Sequence, residues 1–432
     1  MAQRFFLAGA ILVFFTNCQT PRAIISTSMQ KNTDVFLDSL LKANSQRLGP
    51  VMADPAEYRL QVIYTRIDRD ARNRPVFTDF TYRLSPETYF YPASTVKMPA
   101  AFLALEKMNR LGIDKYTPMH TDSLSAITPA VSTDSSAEDL QPSIAHYIKK
   151  IFLVSDNDAF NRLYEFLGQE GINRGLWDKG YTSAQIRHRL DIALPQEANR
   201  LTNGIRFVRP GEDGEEDETL YFQPEQRSTL AFAPRKDSVG KAHYDGKKLV
   251  ETPFNFSEKN RIVLEDLHNI LRSVIFPGSV TSSRRFRLTE EDYRFLYRYM
   301  SQLPTETDWP VYDTTEFHRN YVKYLLGGAD AKTELPAGLR IFNKPGWAYG
   351  FLTDVAYFAD FANGVEFMLS ATVYVNKDGI IGDDTYDFES TGQPFLKELG
   401  NVIYETELNR IRKYKPDLER YKVTYSRKPQ QP

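Results

Sequence analysis

The sequence predicts an α+β fold: an antiparallel five-stranded sheet with the terminal helices packed on it, plus an all-helical lobe. Three observations predict it. Alternating runs rich in β-branched and aromatic residues fall in two groups, two near the start and three near the end. A long block with helical periodicity separates the groups. Further helical patterns flank them at both ends.

Taken in order, residues 1–15 carry one arginine and then the apolar run Phe5 to Phe15. That run is too short to span a membrane and reads as a secretory signal. Cys18 follows and is the single cysteine of the chain, so an intrachain disulfide is ruled out. The arrangement resembles a bacterial lipoprotein signal, in which the cysteine becomes the lipidated first residue. Phe15 and Asn17 depart from the small residues usual before such a cysteine, and a plain secretory signal is the alternative. The expected layout is a signal peptide over 1–18, a tether over 19–32 and one folded domain over 33–427. An exported protein follows, periplasmic or held at the outer membrane by its lipid.

Val35, Phe36, Leu40, Leu41 and Leu48 give residues 33–49 an amphipathic helical face. Residues 58–66 and 76–82 read as strands joined by a turn over 70–75. The Ala- and Leu-rich stretch that opens at Ser94 reads as a helix. Residues 114–140 are rich in Ser, Thr and Pro and read as loop. Helices are expected over 142–154 and over 158–167, the second ended by Gly168. Residues 204–258 hold the acidic run Glu212 to Glu218 and scattered prolines, and read as a solvated insertion. Helices return at 260–275 and 289–303. Strands are expected over 339–342, 354–358 and 366–375, and a closing helix over 394–413.

Composition bounds the function. The chain has 432 residues, 41% hydrophobic and 25% charged, ordinary for a globular enzyme or binding domain. A formal net charge of −2 argues against a nucleic-acid partner while leaving room for local basic patches. The six histidines, His120, His146, His188, His243, His268 and His318, make no His-x-His or His-x-x-x-His pair, so no metal site is expected. No Gly-x-Ser-x-Gly elbow and no phosphate-binding Gly-rich loop is present, and no cofactor is expected.

Three short motifs carry chemistry. Ser94-x-x-Lys97 sets a serine and a lysine one helical turn apart. A lysine desolvated there would have a lowered pKa and could take the serine proton. The same spacing recurs at Ser28/Lys31, Ser39/Lys42 and Ser238/Lys241, so the pair gains meaning only from its companions. Those are Ser155-Asp156-Asn157 and Lys344-Pro345-Gly346, in that order. Lys377-Asp378-Gly379 competes for the third place but follows the last strand and reads as a turn.

With the three motifs in order, the chain resembles the penicillin-recognising serine hydrolases, most closely their class A β-lactamase-like branch. The interval from Ser94 to Ser155 is close to that of the family. The interval to Lys344 is longer, in line with the insertion at 204–258. The resemblance implies roles. Ser94 would be the nucleophile, Lys97 the general base and Ser155 the proton shuttle to the leaving nitrogen. Lys344 would act by its charge. Asn157 and Gly346 would contact the substrate, and the backbone N–H groups of Ser94 and Trp347 would form the oxyanion hole. The substrate would be a small molecule or peptide with a reactive amide.

The sequence also departs from the family. Class A β-lactamases hold a glutamate, after Ser-Asp-Asn, that activates the deacylating water. Aligned on Arg189-Leu190-Asp191, its place falls to Leu194; aligned on Asn199, to Pro195. Glu197 is the nearby substitute, against the plain reading of a solvated surface glutamate. Pro345 replaces a hydroxyl residue, and Trp347 adds a large ring. Three readings follow. One is a β-lactamase-like hydrolase that clears its acyl-enzyme slowly. Another is a D-alanyl peptidase-like penicillin-binding enzyme. The last is a non-catalytic surface lipoprotein.

Overall fold

Two hairpin-forming segments far apart in the chain build one sheet. The computed structural model describes residues 33–211 and 217–425. The signal peptide, Cys18 and the tether lie outside the described residues. β1 (Gln61–Arg69) and β2 (Pro75–Tyr82) pair with Val62 opposite Tyr82. β3 (Leu339–Ala348), β4 (Phe351–Asp360) and β5 (Val365–Tyr374) form a meander. Gln61 of β1 lies opposite Thr372 of β5, which joins the two groups. The order is β3-β4-β5-β1-β2, with every pair antiparallel.

Among the described residues the helices of nine residues or more are, in chain order, α1 (Val35–Ala43), α2 (Lys97–Leu111), α3 (Ile144–Val154), α4 (Asn157–Leu167), α5 (Gln169–Trp177), α6 (Leu264–Ile275), α7 (Glu290–Ser301) and α8 (Gln393–Asn409). α1 starts at Asp34, whose carboxylate accepts the Phe36 N–H at 2.8 Å. α7 starts with a capping box between Thr289 and Asp292.

Strand alternation sorts the core into two clusters. Val62, Phe358, Leu369 and Val373 pack with Leu37 and Leu41 of α1 and with Leu396, Leu399 and Ile403 of α8. Ile63, Ile67, Val355 and Met368 belong to the other cluster, with Leu267 and Leu271 of α6 and the apolar faces of α2 to α5. Each fully buried side chain of this size contributes about 1.5–3 kcal/mol of transfer free energy. The sheet is thus clad by the terminal helices on one side and joined to the helical lobe on the other.

Four details differ from the sequence expectation. The helix expected over 33–49 ends at Ala43, and a separate helical turn covers Ser45–Leu48. β3 runs on through Lys344, Pro345 and Gly346 to Ala348, and the turn comes at Tyr349-Gly350. Both turn residues have positive φ, 54° and 81°, as a two-residue hairpin connection of this hand requires. Pro345 is tolerated because β3 is an edge strand. The lobe also carries a three-stranded ribbon of Met119–Thr121, Ile205–Arg209 and Glu218–Gln223, so residues 204–258 are not wholly solvated. Finally, α5 follows directly on Gly168, where the sequence offered only an ending.

Candidate active site

Ser94 sits in a 3-10 turn, Ala93–Val96, that feeds into α2. The turn is closed by the Thr95 N–H and hydroxyl, which both donate to Pro92 O, at 3.0 and 2.6 Å. Ala93 has φ of 44°, so the chain enters the turn in the left-handed region, which is uncommon for a residue with a Cβ. The Lys97 N–H then donates to Ser94 O. Ser94 is 8% exposed and Lys97 fully buried. α2 is buried from Lys97 through Leu105, so the Lys97 side chain cannot snorkel to solvent.

The Lys97 ammonium is therefore held by polar groups brought from the next motif. Its Nζ donates to Ser155 O at 2.5 Å and to Asn157 Oδ1 at 2.6 Å, and lies 3.4 Å from Ser155 Oγ. Ser155 ends α3 in the left-handed region, at φ 60° and ψ 36°. That conformation turns its carbonyl and hydroxyl together toward the lysine. Asp156 caps α4 by accepting the Ala159 N–H at 2.7 Å. Asn157, at the first position of α4, also donates through Nδ2 to Asp191 Oδ2 at 3.3 Å.

The third motif arrives from the sheet edge. Lys344 is fully buried, and its Nζ donates to Ser155 Oγ at 2.8 Å and to Pro345 O at 2.8 Å. Gly346 lets β3 approach the serine turn. A Cβ there would lie 2.7 Å from Pro92 O and 2.9 Å from the backbone nitrogens of Ser94 and Thr95. Trp347 follows opposite Leu352, with its side chain half-exposed and its ring 5.6 Å from that of Phe388.

Burial decides the electrostatics. It pulls the Lys97 pKa down to about 7, against the opposing pull of Asp156 and Asp191. Lys344 is held well below the usual lysine range by burial first and then by the Lys97 charge. Two ammonium groups around one hydroxyl cannot both stay charged cheaply. Lys97 is thus poised to be neutral near neutral pH. A hydroxyl has two acceptor lone pairs and one proton to give. Ser155 Oγ lies within reach of both lysines, and its own proton stays available. Ser94 Oγ has no hydrogen-bond partner among the described residues, and catalytic contacts of this kind tighten when substrate binds.

Of the residues singled out in the sequence, Ser94, Lys97, Ser155, Asn157, Lys344 and Gly346 lie around one half-buried polar centre. Glu197 is elsewhere. It is exposed and ion-paired with Arg227 at 2.7 Å and Arg200 at 3.3 Å. The neighbouring loop is pinned by Asn199, whose Nδ2 donates to Leu194 O and Pro195 O, both at 3.2 Å.

Asp191, which the sequence reading passed over, joins the centre through Asn157. A second buried chain lies behind Lys344. Lys323 Nζ donates to Asn343 Oδ1 at 2.6 Å, and Asn343 Nδ2 donates to Asp354 Oδ1 at 2.9 Å. Burial lowers the Lys323 pKa to about 7 and raises that of Asp354. A lone lysine in Tyr321-Val322-Lys323-Tyr324-Leu325 and a lone aspartate in an apolar strand were the signals available. Among the described residues no group of three or more His, Cys, Asp or Glu side chains is placed to hold a metal ion.

Residues 70–230, which include the first two motifs, match the model of the beta-lactamase enzyme family. The chain's five-stranded antiparallel sheet with helices on both sides is a mixed α+β architecture. Solved structures similar to this chain include PBP-A, at 14% identity over 86% of this chain and 96% of that one, with a TM-score of 0.47. A β-lactamase from Xanthomonas campestris matches at 13% identity over 85% and 98%, with a TM-score of 0.46. One from Burkholderia phymatum matches at 15% identity over 85% and 98%, with a TM-score of 0.45. No curated protein sequence matches the chain.

Proposed function

We propose that this chain is an exported serine hydrolase that opens an amide through an acyl-enzyme on Ser94. The substrate class is a β-lactam or a cell-wall peptide ending in D-amino acids. One observation carries the reading. A continuous hydrogen-bonded chain runs from Lys344 through Ser155 and Lys97 to Asn157, and its Lys97 lies one helical turn from Ser94. In the proposed cycle Ser94 Oγ attacks the carbonyl carbon while neutral Lys97 takes its proton. The C–N bond then breaks, and Ser155 passes a proton to the departing nitrogen. Lys97 replenishes Ser155. The N–H groups of Ser94 and Trp347 serve as oxyanion donors, each worth about 2.7–4 kcal/mol if lost. Lys344 holds the Ser155 hydroxyl through its Nζ and, when protonated, attracts an anionic substrate group.

Deacylation is the slow half of this cycle. Leu194 and Pro195 occupy the place of the water-activating glutamate, and neither is a base. Glu197 is engaged by two arginines. This supports a penicillin-binding, D-alanyl peptidase-like enzyme over an efficient lactamase. A fluorescent penicillin time course with Ser94→Ala as control tests the reading. Persistent labelling of Ser94 is expected. Fast release would favour a lactamase, and no labelling would favour a non-catalytic lipoprotein. The inferred lipid anchor is tested separately: Cys18→Ser should move the protein from the membrane fraction to the soluble one.

A further inference from the structure

We propose that the cleft between α2, α5 and residues 282–287 binds a compact ligand bearing several phosphate groups. The cleft has a volume of about 710 Å³ and is lined by Lys107, Arg110, Arg174, Lys179, Arg285 and Arg287 against two carboxylates, Glu106 and Asp178. The charges do not cancel locally. Glu106 is taken by Lys179 at 2.9 Å, and Arg174 is paired with Glu170 at 2.6 Å. Among the described residues Arg110, Arg285 and Arg287 have no carboxylate within ion-pair distance. Lys107 Nζ bonds only neutral acceptors, Phe166 O and Gln223 Oε1. Burial, and after it the neighbouring Arg110 charge, pulls the Lys107 pKa down to about 7, so the standing positive charge of the cleft comes from its arginines.

The arginine-bearing loop is also fixed in place. The Arg287 N–H donates to Glu106 Oε1 at 3.2 Å, and Asn109 Nδ2 donates to Arg287 O at 3.1 Å. Lys179 Nζ donates to Arg285 O at 3.3 Å. The backbone is thus held while both guanidinium groups remain unpaired. Forked N–H donors of this kind match pairs of anionic oxygens, and a phosphate group brings up to twice the charge of a carboxylate and one more acceptor oxygen. A concavity of this size suits a discrete polyanion better than a flat bilayer. Arg110 stands thirteen residues past Lys97 on the same helix, about 20 Å away at 1.5 Å per residue. The cleft is therefore separate from the serine centre, and the proposal stands whether or not Ser94 is acylated.

Tripolyphosphate is the probe, titrated calorimetrically into the full chain at low salt. Saturable one-to-one binding is expected. Arg285→Glu with Arg287→Glu should weaken it at least tenfold, and Arg110→Glu alone at least threefold. Arg72→Glu with Arg83→Glu makes the same change in net charge on the β1–β2 hairpin and should alter it less than twofold. Citrate should bind at least fivefold more weakly than tripolyphosphate. The substituted arginines are exposed, and an unchanged melting temperature confirms that the variants fold. The proposal is overturned by absence of saturable binding, by an equal loss in the control pair, or by citrate binding as well as tripolyphosphate. Vesicles rich in phosphatidylglycerol form the last arm. Arginine-dependent sedimentation with them that tripolyphosphate cannot displace would assign the cleft to a membrane and overturn the proposal as well.

Discussion

Lys344 Nζ donates to Ser155 Oγ across 2.8 Å, although 189 residues separate the two in the chain. This contact ties the sheet edge to the helical lobe at the point where the chemistry is proposed. It exists because of two backbone choices. Ser155 ends α3 in the left-handed region, and β3 continues past Lys344 instead of turning there. The polar centre is therefore a property of the assembled fold, and no single motif contains it.

The first prediction concerns pH. Lys97 must be neutral to accept a proton, and its pKa is lowered to about 7 by burial. Acylation by penicillin, followed as kcat/KM between pH 5 and 9, should rise through about pH 7 and level off above it. Lys97→Arg, which stays charged, should lower it about 10²–10⁴-fold across the range. The same burial sets the sign for stability. Between about pH 7 and 10 the unfolded chain holds a proton that folded Lys97 has lost, so stability contributed by this group increases as pH rises. A flat acylation profile would remove Lys97 as the base.

Ser155 separates backbone strain from chemistry. At φ 60° a residue with a Cβ is strained by about 1–2 kcal/mol, and glycine is not. Ser155→Ala and Ser155→Gly both delete the hydroxyl between the lysines. Both should slow acylation about 10²-fold or more. Ser155→Gly should nevertheless match or exceed Ser155→Ala in stability by urea unfolding. Equal acylation by either variant and the parent would show that the hydroxyl carries no proton.

Gly346 is predicted to be irreplaceable for steric reasons. An added Cβ meets backbone atoms of Pro92, Ser94 and Thr95 within 3 Å, and none of these is a flexible side-chain end. Relief requires β3 to shift away from the serine turn. Gly346→Ala should cost about 1–3 kcal/mol of stability, as overpacking does. Acylation should fall by more than the stability loss explains at a temperature where the variant remains folded. Normal acylation by a stable Gly346→Ala protein would mean that the close approach has no functional weight.

Much of this is legible in the sequence alone. Runs rich in β-branched and aromatic residues over 58–66 and 366–375 mark the strands, and the second is largely apolar because both faces of that strand are buried. The apolar spacing of α1 and of α8 marked the helices that clad the sheet. Lys344, Pro345 and Gly346 were harder. Proline and glycine argue locally for a turn, and only the edge position of β3 and its tight approach to Pro92 and Ser94 make them strand residues. Asp191 was illegible as a site residue, since its link to Lys97 runs through the Asn157 side chain. The cations of the α2–α5 cleft come from three separate segments, and a net charge of −2 conceals them.

Deacylation gives the last prediction. A base acts only if its carboxylate reaches the attacking water, directly or through one bridge. Glu197 spends its two oxygens on Arg227 and Arg200, at the surface, and makes no contact with Ser94, Lys97 or Ser155 among the described residues. Exposed pairs of this kind are worth about 0–1 kcal/mol, so the substitution hardly perturbs the fold. Glu197→Gln should therefore leave the lifetime of the penicilloyl-enzyme within twofold of the parent, read as loss of mass or fluorescence from Ser94. Leu194→Glu tests the complementary claim. It returns a carboxylate to a loop position pinned by Asn199, and it should shorten that lifetime at least tenfold. A much longer lifetime in Glu197→Gln would show that the loop rearranges to bring this glutamate to the acyl group.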